Sequence, residues 1–167
     1  MKKAHHRPLI LGVTGVKNSG KTTLMEKLIR ALSARGVRVA SLKHDAHQFE
    51  ADTPGTDSYR HKAAGAFASA IYDKEKFLMV MDGEFDIPDF LPFFGDADIV
   101  LIEGAKQSPY PKIEVLRKGN SCTPVTDPRL LIALMTDTGF RLEGVPSLDI
   151  NDVDGAVALI LDRMSAG

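Results

Sequence analysis

The sequence predicts an α/β domain of three layers, a P-loop NTPase-like fold with a mostly parallel central sheet, on three observations. Two uninterrupted apolar runs, Ile99-Val100-Leu101-Ile102 and Leu130-Leu131-Ile132-Ala133-Leu134-Met135, have the composition of strands covered on both faces. A third, Leu9-Ile10-Leu11-Gly12-Val13, feeds a glycine-rich turn that opens a helix. After that helix Val37-Arg38-Val39-Ala40-Ser41-Leu42 alternates, so residues 9–42 read as one strand, helix, strand unit, its strands a parallel pair with a right-handed crossover.

The turn itself is the most informative feature. Gly15-Val16-Lys17-Asn18-Ser19-Gly20-Lys21-Thr22 matches G-x-x-x-x-G-K-[ST] in full. A buried strand entering such a loop turns consecutive backbone N–H groups into one concavity, and the helix behind adds the positive end of its dipole, so polyphosphate is the natural guest. Gly15, Lys17, Asn18, Ser19, Gly20, Lys21, Thr22 and Thr23 are the candidate phosphate contacts. Lys21 reaches the β/γ oxygens in this reading, and the Thr22 hydroxyl offers an oxygen to Mg²⁺. The bland alternative, glycine and serine merely making a loop, leaves the flanking strand and helix signals unexplained. Lys17 is read equally as a phosphate contact and as a solubilising loop residue.

The remaining elements follow in order. Leu24, Leu28 and Leu32 beside Met25 and Ile29 form the inner stripe of the first helix, which Gly36 ends. The polar stretch Lys43 to Asp57, with Pro54-Gly55, is a loop of functional length. Ser58 to Gly65 reads as a short helix, and Phe67–Tyr72 with Phe77–Met81 as two strands joined at Asp73-Lys74-Glu75. The stretch from Asp82 to Asp98 shows no clear period. Ile113 to Leu116, after Pro109 and Pro111, reads as an edge strand. Leu148-Asp149-Ile150 leads to a last helix capped by Asn151 or Asp152, with Val153, Val157, Ile160, Leu161 and Met164 inside.

Bulk properties bound the function. At 167 residues, 44% hydrophobic and 26% charged, the chain suits one globular domain over residues 1–167 with a flexible tail at 1–7. A formal net charge of -1 weighs against nucleic-acid binding by phosphate neutralisation, and Lys2-Lys3 with His5-His6-Arg7 read as a solvated tail. No stretch approaches the roughly 20 apolar residues of a membrane span, and no secretory core is present, so a cytoplasmic location without membrane attachment is expected. Cys122 is the single cysteine, which excludes an internal disulfide and a thiolate zinc site.

Strand geometry selects the acids that can approach the phosphates. Asp98 and Glu103 bracket an apolar run and lie roughly 16 Å apart at about 3.3 Å per residue, so only one faces the ligand edge. If this strand is parallel to the first, that residue is Glu103, a metal ligand directly or through water, and Asp98 is a strand-entry residue. Lys43, His44 and Asp45 emerge at the same edge. Lys43 and His44 are candidate contacts to phosphate or an anionic substrate. Asp45, Asp52 and Asp57 are candidates for a second metal ligand or water-positioning base, and Lys21, Asp45 and Glu103 form the candidate catalytic set. His44 and His47 are three apart but lack an evident third ligand for a transition metal. Asp137, beyond the second apolar run, stands where a carboxylate could accept from guanine N1 and N2; a turn-forming role before Gly139 competes equally. The guanine-reading [NT]-K-x-D tetrad is absent.

These segments occur in a characteristic order: the loop through Thr22 with Thr23-Leu24, Leu42-Lys43-His44 with His47 and Asp52, Pro54-Gly55-Thr56-Asp57-Ser58, Ile102-Glu103-Gly104-Ala105-Lys106 with Pro111-Lys112-Ile113, and Asp149-Ile150-Asn151-Asp152-Val153. In this the chain resembles, over nearly its whole length, the MobB family of molybdopterin-guanine dinucleotide biosynthesis adapters. The resemblance implies a GTP-binding, Mg²⁺-dependent homodimer with weak GTPase activity that assists a MobA-type guanylyltransferase in attaching GMP to the molybdenum cofactor, with molybdopterin as a further candidate ligand. Thr56 departs from the Lys that members often carry there. Two other readings of the same loop are a small-molecule kinase and a GTPase metallochaperone. The kinase reading is weakened by a candidate lid at 83–95 that holds Glu84, Asp86 and Asp89 but no Arg or Lys, and the metallochaperone reading by the missing cysteine ligands.

Overall fold

The computed structural model describes residues 7–45, 49 and 51–166. Most of the basic tail and His47 lie outside the described residues. In chain order the elements are β1 (Leu9–Thr14), α1 (Lys21–Ser33), β2 (Val39–Lys43), α2 (Asp57–Ala63), β3 (Ala68–Tyr72), β4 (Phe77–Met81), α3 (Ile87–Phe90), β5 (Ile99–Glu103), β6 (Lys112–Leu116), β7 (Leu131–Thr136), β8 (Ser147–Asp149) and α4 (Val153–Ser165). They divide into two compact units, residues 1–44 with 92–167, and residues 45–91.

The first unit is built on a six-stranded sheet in the order β2-β5-β1-β6-β7-β8, parallel at every pairing. All six carboxyl ends therefore lie along one edge, where ligands of open α/β sheets bind. Strand positions 11, 13, 99, 101, 113, 115, 133 and 135 are buried in one cluster with Leu24, Met25, Leu28 and Leu32 of α1 and Ala156, Val157 and Ile160 of α4. This is the period of two from each strand meeting the four-residue stripe of each helix. A smaller cluster, Leu116, Leu131 and Leu134 with Phe140, Leu142 and Val145, forms beside β6 and β7. The helix starts follow capping chemistry: Asp152, rather than Asn151, caps α4 by accepting the Gly155 amide at 2.9 Å. Asp98 sits at the amino end of β5 and accepts the Arg38 amide at 2.7 Å, a local strand-entry role.

Two expectations are corrected. The strands flanking α1 are parallel but not neighbours, because β5 lies between them, bonded to β1 on one side and β2 on the other. Val100, Leu101 and Ile99 of β5 are fully buried, whereas β2 carries Ser41 and Lys43 and is half open; the apolar strand takes the interior place and the polar one the edge. The segment 113–116 is not an edge strand. As part of β6 it lies between β1 and β7 with all five residues buried, and the true edges are β2 and β8. Alternation of Lys112, Ile113, Glu114 and Val115 imitates a half-solvated strand, but both polar side chains are satisfied inside. The Lys112 ammonium donates to the Ser108 and Tyr110 carbonyls at 2.5 and 2.7 Å, and the Glu114 carboxylate accepts the Val125 and Thr126 amides at 2.7 and 2.9 Å. Desolvation lowers the pKa of Lys112, with the charge of Asp127 opposing.

In the second unit Thr56 caps α2, its hydroxyl accepting the Tyr59 amide and donating to the Thr53 carbonyl at 2.8 Å. The prolyl-glycyl segment is thus a helix entry. Strands β3 and β4 pair antiparallel from Ala68↔Met81 to Tyr72↔Phe77, and Asp73 closes their turn by accepting the Glu75 and Lys76 amides. The stretch without a clear period contains α3, held by a reciprocal capping box between Asp86 and Asp89, and a 3-10 turn at Leu91–Phe94. Among the described residues no helix is long and apolar enough to cross a membrane.

The packing of β6 against β1 is tight enough to test. A Cβ at Gly12 would lie 2.9 Å from the Lys112 Cγ, in the fixed middle of a buried side chain. Gly12→Ala is expected to lower stability by about 1–3 kcal/mol as an overpacking change, read as a lower urea midpoint at unchanged m-value.

Candidate functional site

The phosphate loop runs from the carboxyl end of β1 to Gly20, the residue that opens α1. Its path requires left-handed backbone at Gly15 (φ 139°), Asn18 (φ 60°) and Gly20 (φ 102°). At Gly15 the reason is spatial as well: a Cβ there would stand 2.6 Å from the Ser19 hydroxyl and 2.7 Å from the Val115 carbonyl. Gly20 brings no side-chain cap to α1, so no side chain of its own competes for the first amides of the helix. The Ser19 hydroxyl is buried and has no hydrogen-bond partner. A glycine turn that opens a helix beside an unpartnered buried hydroxyl suits an anion.

Around this loop the structure gathers most of the expected residues. Register places Val13, Glu103 and Lys43 in one row across β1, β5 and β2, which brings Glu103 to the level of the loop. The Thr22 hydroxyl donates to the Glu103 carboxylate at 2.8 Å. Lys21 folds back so that its ammonium donates to the Val16 carbonyl at 2.7 Å. Burial lowers its pKa, the Glu103 carboxylate opposes that shift, and the charges of Lys106 and Lys43 add to it. The His44 amide donates to the Glu103 carbonyl at 3.0 Å, which extends the β2–β5 ladder by one residue. Lys17, Asn18, Thr22, Thr23, Lys43 and His44 are all exposed.

On the other side of the loop a cavity of about 270 Å³ is lined by Ser19, Gly20, Thr23, Arg117, Asp137 and Asn151, among others. Asp137 emerges at the end of β7, and one of its carboxylate oxygens accepts the Lys118 amide at 2.6 Å. That contact joins the segments following β6 and β7 into one wall. Asn120 fastens the same wall to the phosphate loop by donating to the Lys17 carbonyl at 2.8 Å.

The other acidic candidates belong to the second unit. Asp45 is exposed two residues beyond β2 and belongs to the second unit. Asp52 and Asp57 are engaged locally around the start of α2. The Asp52 carboxylate accepts the Thr53 amide at 2.7 Å, and its pKa is lowered mainly by the Ser58 hydroxyl; Asp57 pairs with Arg60 at 3.6 Å.

Sequence reasoning missed Arg117 and Lys106. Arg117 follows β6, and its guanidinium would stand 3.5 Å from a Cβ at Gly20. Its place beside the loop follows from the pairing of β6 with β1, which no local pattern of the sequence displays. Lys106 was noted within a motif but not placed, because only the turn after β5 decides where it points.

The family model described as "Molybdopterin guanine dinucleotide synthesis protein B" (MobB) matches residues 10–137. A molybdopterin-guanine dinucleotide biosynthesis adapter protein of Escherichia coli (strain K12) is 35% identical over 93% of this chain and 93% of that protein. Its counterpart in Haemophilus influenzae is 36% identical over 86% of this chain and 83% of that protein. Among solved structures, Bacillus subtilis MobB superposes with a TM-score of 0.74 at 29% identity, covering 93% of this chain and 97% of that one. Motif series, sheet and relatives agree, and the chain belongs to the MobB family.

Proposed function

We propose that this protein is a GTP-binding adapter of molybdopterin-guanine dinucleotide biosynthesis, with weak GTPase activity at most, which assists a MobA-type guanylyltransferase. The adapter role is the one named for its relatives from Escherichia coli and Haemophilus influenzae. The observation that carries nucleotide binding is the pairing of Thr22 and Glu103 at 2.8 Å beneath an uncapped glycine loop.

The donor set fits Mg²⁺. Thr22 and Glu103 present a hydroxyl and a carboxylate oxygen, the hard ligands this cation takes, and the rest of its shell belongs to phosphate and water. Among the described residues no three His, Cys, Asp or Glu side chains converge, which suits a cation held largely by its nucleotide. Mg²⁺ would neutralise charge on the terminal phosphates. Within the chain, Lys21 exchanges its Val16 carbonyl for phosphate oxygens, and the first amides of α1 receive the anion. His44 is proposed as a further polar group near the terminal phosphate.

Guanine selectivity is proposed from the cavity wall. Asp137 spends one oxygen on the Lys118 amide and keeps the other for N1–H and N2–H of guanine. Adenine would present an acceptor at N1 to that carboxylate, which is repulsive. Self-association is proposed from the hairpin: Ile71, Tyr72, Phe77, Leu78, Met79 and Met81 are all exposed on a two-stranded ladder, which is marginal alone and finds a partner most simply in a second copy of the chain. Molybdopterin is proposed as a candidate second ligand.

Titration of the purified protein with GTP and ATP in Mg²⁺ should show preference for GTP, and equal or preferential ATP binding would reject the guanine assignment. Lys21→Ala should weaken GTP binding by about tenfold or more while the thermal midpoint holds, since its charge serves the ligand. Normal GTP affinity in that variant would mean that the loop is not the site. Sedimentation velocity at micromolar concentration should give a dimer, and Phe77→Asp should shift it toward monomer; a wild-type monomer would remove the homodimer from the proposal.

A further inference from the structure

The two flanks of the phosphate loop differ in a way that orients the ligand. The cavity with Asp137 and Asn151 lies over the ends of β6, β7 and β8, whereas Lys43, Glu103 and Lys106 lie at the ends of β2 and β5, on the opposite side of β1. A nucleotide with its base in the cavity and its phosphates across the loop therefore ends, at its last phosphate, over β5 and β2.

The turn after β5 is shaped to bring a cation there. Gly104 and Ala105 are both left-handed, with φ of 89° and 49°, and the second is a conformation that alanine rarely adopts. Substitution at Gly104 is opposed from outside too, because a Cβ would stand 3.0 Å from the His44 carbonyl. The Gly104 amide is bonded to the Val13 carbonyl at 3.0 Å, which fastens the turn to the strand that feeds the phosphate loop. Farther along, the Ser108 amide returns to the Ala105 carbonyl at 3.0 Å, and the buried Lys112 ammonium holds the Ser108 and Tyr110 carbonyls. A strained turn fixed at both ends serves positioning, and what it positions is Lys106.

We propose, building on the nucleotide-binding reading, that Lys106, with Lys43, forms a clamp for the terminal phosphate and makes the site discriminate nucleoside triphosphate from diphosphate. Lys43 is paired with Glu103 in the β2–β5 register, and Lys106 follows Glu103 by three residues beyond the fixed turn, so both belong to the corner that holds the carboxylate engaged by Thr22. Lys106 and Lys43 both act on the Lys21 ammonium, after its burial and the opposing charge of Glu103, which agrees with their sharing one corner of the site. Such a concentration of exposed positive charge repels itself until an anion arrives. The β-phosphate already has Lys21 and the loop amides. The extra pair acts on the phosphate beyond it, so the occupied state of the site reports whether that phosphate is present.

The test is the ratio of GTP to GDP affinity, measured by calorimetry in Mg²⁺ on the full chain. Lys106→Gln should lower the ratio about tenfold, through weaker GTP binding with GDP affinity held within about twofold. The double variant with Lys43→Gln should lower it further, and Lys106→Arg should retain most of it. Both lysines are exposed, so thermal midpoints should match the wild type. An unchanged ratio in Lys106→Gln, or an equal fall for GTP and GDP, would overturn the clamp while leaving nucleotide binding intact. A wild-type protein that bound neither nucleotide would overturn both readings.

Discussion

One row of residues across three parallel strands underlies the site. Val13, Glu103 and Lys43 are held in register by the ladders that bond β5 to β1 and to β2. A shift of β5 along its neighbours would carry part of its fully buried apolar run past the covered region of the sheet, or draw the half-buried Glu103 into it. The level of Glu103 relative to Thr22 is therefore set by hydrophobic burial many residues away from either group. Their 2.8 Å hydrogen bond is the consequence of that register and not its cause.

The same economy appears under the loop. β6 carries a lysine and a glutamate through the middle of the sheet, which would be costly if either were left unpartnered. Each is instead given backbone partners, and each partner set belongs to a loop at the ligand edge: Lys112 fixes 108–110, and Glu114 fixes 125–126. Thr14 continues this layer with a 2.8 Å hydrogen bond to Thr126. Buried polar groups here hold loops in place around the glycine loop, while the apolar face of the sheet against α1 and α4 provides cohesion.

Much of the fold could be read locally. The glycine loop, the stripe of α1, the buried runs that become β5 and β7, the hairpin of β3 and β4 and the cap of α4 are all properties of short windows, because each depends on backbone preference or on a period of two or four residues. Placement was less accessible. The pattern of β6 is that of a solvated strand unless one knows that its two polar side chains meet backbone groups, and the closeness of Arg117 to the glycine loop follows only from the pairing of β6 with β1. Asp52 and Asp57 looked available because a polar loop was expected, whereas they serve the entry to α2.

What the sequence determined by itself was the chemistry on offer: a glycine-rich loop between a strand and a helix, a hydroxyl and an acid of the kind that suits a hard cation, and strands apolar enough to demand a covered sheet. These are encoded by neighbours along the chain. Which strand lies beside which, and hence that Lys43, Glu103 and Lys106 share one corner while Arg117 and Asp137 share another, was decided only by tertiary structure. Strand order depends on competition among all six strands for the interior of one sheet, and no window of sequence contains that competition.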